Sequence, residues 1–147
     1  LQEREESMTA LLLALALVPA AHVDAATAAA REYHIEPALL LAIAKHETSG
    51  TFNASAINVT DGRMSCGAMQ VRVRFADVFH CWQLLDVRTG YLEGAAVLPR
   101  WLAVAHGDLR VALNAYGCGT WGLTHACRDF APYVIGLSAR YRREARS

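Results

Sequence analysis

The chain changes character abruptly at Glu47, and that change limits the folds open to it. Pro37-Ala-Leu-Leu-Leu-Ala-Ile-Ala-Lys-His-Glu47 is an apolar helical run that begins on a proline suited to a helix first turn. Residues 50–66 then turn to Ser, Thr, Asn, Asp and Gly, the composition of a long loop or small hairpin. A polar excursion of that length inside a compact domain is more often functional than filler. The expected fold is therefore mainly α, with one polar loop or small hairpin after the helix that ends at Glu47.

The flanking segments read as helices. Residues 24–33 follow Pro19 and offer Asp24 as an N-cap. Tyr91, Ala95, Leu98 and Leu102 recur at helical spacing, with Pro99 expected to kink or locally unpair that helix. Asp108 can cap a helix over 109–116, and Phe130, Tyr133, Val134, Leu137 and Tyr141 form the apolar stripe of a last one. Alternation of the strand type is weak, apart from a short stretch near 57–64.

With 147 residues, 54% hydrophobic and 19% charged, the chain can bury a real core and is not a disordered polymer. Lys plus Arg and Asp plus Glu are 14 each, so no global field recruits nucleic acid or an anionic membrane. The apolar run over 10–18 is too short to span a bilayer. Within a segment over 1–23 it reads first as a packed helix and second as an anchor or an uncleaved export signal, although Glu3, Glu5 and Glu6 precede it where a signal would carry basic residues. The remaining 24–147 reads as one domain.

Glu47 is the candidate for chemistry. Leu40, Ile43, Ala44 and Glu47 fall at i, i+3, i+4 and i+7, which places the carboxylate on the face expected to be buried. Apolar neighbours and the negative end of a helix disfavour the charged form of an acid, and so favour a proton donor. His46-Glu47 also starts like a zinc-protease motif, but Gly50 stands where the second histidine is needed. Cys66, Cys81, Cys118 and Cys127 contain no Cys-x-x-Cys pair, which argues against zinc. No metal or cofactor is expected. An even set of four fits an oxidising compartment with up to two disulfides, or else four reduced buried thiols.

Three segments in order suggest a family: His46-Glu47-Thr48-Ser49-Gly50-Thr51-Phe52-Asn53, then Ser65-Cys66-Gly67-Ala68-Met69-Gln70-Val71, then Leu113-Asn114-Ala115-Tyr116-Gly117-Cys118-Gly119. Together they resemble the soluble lytic transglycosylases, which share a lysozyme-like fold with goose-type lysozymes and carry Glu-Ser, Gly-x-Met-Gln and Ala-Tyr-Asn-x-Gly. The resemblance implies a peptidoglycan-cleaving enzyme that needs no cofactor. Glu47 would protonate the oxygen between N-acetylmuramic acid and N-acetylglucosamine, with the substrate's acetamido oxygen supporting the cationic centre. The ionised Glu47 would then take the C6 hydroxyl proton and close a 1,6-anhydro ring.

Thr48, Met69, Gln70 and Tyr116 would line the substrate cleft, with Gln70 bonding sugar hydroxyls, Met69 shielding the acid, and the Tyr116 hydroxyl reaching the acid or the acetamido group. Thr48 departs from the family serine, and Gly117 from its asparagine. Asp61 is the candidate second carboxylate for a hydrolytic, goose-type route, and Asp61-Gly62 also reads as a simple turn. A non-catalytic glycan-binding domain is the rival from another class. The cysteines nearest in sequence, Cys66 with Cys81 and Cys118 with Cys127, could bridge locally, whereas the resembled fold would also admit a cross-cleft Cys66 with Cys118. Peptidoglycan as partner implies an extracytoplasmic setting: periplasm, cell wall, secreted or phage-associated.

Overall fold

A computed structural model describes residues 17–146; most of the apolar run over 10–18 lies outside them. The described chain is mainly helical with a small three-stranded sheet. Helix α1 spans Ala20–Tyr33. It starts five residues earlier than Asp24 capping would require, because Pro19 serves as N-cap and its carbonyl accepts from the amides of His22 and Val23. Proline needs no partner for a missing N–H at that position, and the alanines after it favour helix. Asp24 lies inside the helix.

Helix α2, Pro37–Glu47, keeps Pro37 in its first turn. Leu40, Leu41, Ala42, Ile43 and Ala44 are all fully buried, so the helix is enclosed on every side rather than along one stripe. It packs against α1 and against the last helix, α6 (Phe130–Arg146). Its termination is specific. Thr48 donates its hydroxyl to the Ala44 carbonyl at 2.8 Å and accepts from the Phe52 amide at 2.9 Å. The chain therefore turns sharply as it leaves the core.

The polar stretch becomes a hairpin, followed by a third strand that the sequence pattern did not reveal. Strands β1 (Ile57–Thr60), β2 (Arg63–Cys66) and β3 (Val71–Arg74) pair antiparallel in chain order. Asp61 and Gly62, both at positive φ, form the two-residue turn that matches the right-handed twist of a hairpin. Met64, Cys66 and Val73 face inward, and with Cys81 and Leu84 of α3 (Val78–Leu84) they make a second, smaller apolar cluster. Arg63, Ser65, Arg72 and Arg74 share the opposite face, since Ser65 pairs with Arg72 and Arg63 with Arg74.

Helix α4, Val87–Val104, runs on through Pro99 and buries Tyr91, Ala95 and Leu98. Met69 is seated on it: a Cβ at Gly94 would lie 2.5 Å from the Met69 sulfur. Gly94→Ala should therefore destabilise the fold by about 1–3 kcal/mol through overpacking, measured by denaturant unfolding. Helix α5, Leu109–Cys118, is capped by Asp108, which accepts from the Val111 amide at 3.1 Å. A 3-10 turn, Gly119–Leu123, then leads towards α6.

One buried polar pair makes stability depend on pH. His22 of α1 is only 5% exposed, and its Nδ1 lies 2.7 Å from the Tyr91 hydroxyl. Burial lowers its pKa below 6.5, against an opposing hydrogen bond to the Phe52 backbone. The unfolded chain therefore binds this proton more readily than the native one. Stability should be complete above about pH 6.5 and decline as pH falls from there towards the lower native value. Thermal melts should show the decline, and His22→Gln should flatten it.

Candidate functional site

Three elements meet around the end of α2. Glu47 is its last residue, and its side chain is 20% exposed, at the mouth of the core rather than inside it. His46 lies alongside, with Nδ1 3.8 Å from a Glu47 oxygen and Nε2 3.5 Å from Asp129 just before α6. Edge contacts with Phe130 at 4.7 Å and Tyr133 at 5.1 Å fix the imidazole plane. The Glu47 carboxylate raises the His46 pKa above 6.5; partial burial opposes this, and Asp129 adds to it. Protonation of His46 is thus favoured by the carboxylate it faces.

Tyr116 approaches from α5. Its ring stacks on Phe130 at 6.1 Å, and its hydroxyl donates to the Met69 carbonyl at 2.6 Å. Burial pushes this phenol well above its usual range; the negative charge of Glu47 pushes it further up, while Arg72 pulls it down. The Tyr116 hydroxyl therefore sits within electrostatic reach of both Glu47 and Arg72. It is held by the segment that carries Met69 and Gln70, not directly by the acid.

Several expected contact residues hold the site instead of lining it. Gln70, at φ 50 and 7% exposed, accepts from the Asn58 side chain at 2.7 Å and donates to the carbonyls of Gly67 and Ala56 at 2.9 and 3.0 Å. These internal bonds occupy the amide expected to bind sugar hydroxyls and tie the loop after β2 to the hairpin. Thr48 spends its hydroxyl on the helix terminus, and Met69 is fully buried against α4. Asp61 is the exposed hairpin-turn residue. Gly67 must be glycine, at φ 82 with the Leu84 carbonyl where a Cβ would stand.

Cys66 is bridged to Cys81, and Cys118 to Cys127. The first ties β2 to α3 and the second ties the end of α5 to the segment before α6. The cross-cleft bridge is not formed. Between these fastenings lie two adjoining cavities of about 520 Å³ each, which share Arg63, Arg72, Cys118 and Trp121; Asp61 lines one and Tyr116 the other. Arg72 closes their rim by donating to the Gly117 carbonyl at 2.6 Å.

Sequence reasoning passed over Asn58, Arg63 and Arg72, and weighed His46 only as a metal ligand. Val71-Arg72-Val73-Arg74 does alternate, but four residues are too few to announce a strand unaided. No group of three metal-ligating side chains occurs among the described residues, and no described helix is long and apolar enough to cross a membrane. Compared with protein-family models, curated proteins and solved structures, the chain finds no match.

Proposed function

We propose that this chain cleaves the β-1,4 bond between N-acetylmuramic acid and N-acetylglucosamine in peptidoglycan, as a lytic transglycosylase built on a lysozyme-like fold. The observation that carries the proposal is the Tyr116 hydroxyl, which is bonded to the Met69 carbonyl, lies within electrostatic reach of Glu47 and belongs to a residue lining a hairpin-walled cavity. Glu47 ends a helix that is buried from Ala38 to Ala44, yet keeps a partly exposed carboxyl, the placement a general acid needs to reach a substrate oxygen. In the proposed reaction Glu47 gives its proton to the leaving oxygen as the glycosidic bond breaks. The carboxylate then removes the C6 hydroxyl proton as the anhydro ring closes, and so recovers its own. Tyr116 and Gln70 act as positioning residues. Two disulfides support an extracytoplasmic setting.

Asp61 keeps a hydrolytic route in view, because it sits on the exposed tip of the hairpin and lines a cavity there. An inverting hydrolase needs a second carboxylate roughly 6.5–9.5 Å from the acid to position water. Mass spectrometry of the products from purified walls separates the routes. We expect 1,6-anhydromuramic ends. Reducing ends would transfer the role to hydrolysis, and binding without any cleavage would leave a glycan-binding domain.

A further inference from the structure

The cavity over the hairpin, which Glu47 does not line, has a chemical character that the cleavage step does not use. Its floor is the outward face of the sheet, where Ser65 pairs with Arg72 and Arg63 with Arg74. Two arginines placed directly opposite across a strand pair repel one another. Arg74 turns to Asp77 at 3.1 Å, but Arg63 is exposed, lines both cavities, and has no ion-pair partner among the described residues. Arg72 is oriented by its bond to Gly117, which uses one terminal nitrogen and leaves the rest of the guanidinium to the cavity. The opposite wall is Trp121, 54% exposed and stacked on His125 at 4.3 Å.

We propose that this cavity recognises a carboxylate on the wall polymer, gripped by Arg63 and Arg72 while a sugar ring lies against Trp121. The peptidoglycan assignment enters only in naming where the carboxylate comes from: the lactyl group of a muramic acid without a peptide, or a free carboxyl of a stem peptide. The planar fork of arginine matches a carboxylate with two parallel hydrogen bonds. Asp61 in the same cavity leaves a net charge of one, which suits a single carboxylate better than a phosphate polymer. The balanced charge of the whole chain likewise supplies no field for nucleic acid. Arg72 also acts on the Tyr116 hydroxyl, which feels the charge of Glu47 as well. A bound carboxylate would thus register the glycan relative to the acid.

Titration calorimetry on the full chain tests this with a disaccharide of N-acetylglucosamine linked to N-acetylmuramic acid, which lacks the bond proposed to be cut. Three forms are compared: the free lactyl acid, its methylamide, and a lactyl-linked dipeptide with a free terminal carboxyl. The free acid or the dipeptide should bind at least about tenfold more tightly than the methylamide, in line with loss of a charge-assisted pair. Whichever binds more tightly identifies the source. The preference should collapse in Arg63→Gln, and Arg72→Lys should weaken it while keeping the charge. Equal binding of all three forms, or a preference that survives Arg63→Gln, would overturn the proposal. So would tighter binding of a single-stranded oligonucleotide than of either acid. Because these probes are not cleaved, a preference without wall clearing would sink the cleavage reaction alone, and clearing without a preference would sink the carboxylate site alone.

Discussion

Glu47→Gln should lower wall-clearing turnover by at least about a hundredfold, the usual range for a general acid, while leaving the fold intact. The side chain is partly exposed and the replacement keeps its shape, so the melting temperature should move little. A second readout does not depend on activity. The Glu47 carboxylate is the largest influence raising the His46 pKa. Its removal should bring that pKa down towards 6.5, with the Asp129 contribution remaining. The contribution of His46 to stability is complete below about pH 6.5 and fades as pH rises through its higher native pKa. In Glu47→Gln the fading should therefore move to lower pH. An NMR titration of the imidazole follows the shift directly. Undiminished clearing with a lowered His46 pKa would confirm the local geometry and move the chemistry to another residue.

Reduction of the disulfides should abolish activity before the helical core unfolds. The bridges close loops with sequence separations of 15 and 9 residues. By chain entropy the longer is worth about 3 kcal/mol and the shorter slightly less. Cys66 and Cys81 belong to the small cluster beneath the sheet, whereas the large cluster around α2 holds neither. Opening that bridge frees the strand that leads into Gly67, Met69 and Gln70, and with it the carbonyl that anchors the Tyr116 hydroxyl. Cys66→Ser with Cys81→Ser should lower the melting temperature by about 10 °C in a chain of this size. Clearing should fall more steeply than helicity measured by circular dichroism. Parallel loss of both would mean that the sheet and the helical core form one cooperative unit.

Much of this architecture is legible from local pattern. Pro37 at a helix start and Asp108 at a cap act through their immediate neighbours, so their positions follow from composition alone. The Asp61-Gly62 turn is local in the same sense, since both residues tolerate positive φ. Asp24 misled because a polar residue before alanines looks like a cap, while Pro19 already supplied one. The third strand escaped notice because its stability comes from pairing with β2 and from burying Val73, neither of which is encoded within four residues.

The division is sharpest at the site. Sequence by itself determined that a carboxylate ends an apolar helix, that a polar loop or small hairpin follows it, and that four cysteines flank the segments around it. Only the tertiary structure decided what each neighbour does. The Gln70 amide is bonded to Asn58, Ala56 and Gly67, the Tyr116 hydroxyl to the Met69 carbonyl, and Arg72 to Gly117, across separations of up to 47 residues. Hydrogen-bonding capacity is a property of the residue and can be read one letter at a time. The partner that consumes it is set by which backbone groups the packed helices and sheet leave within reach, and that depends on the whole chain.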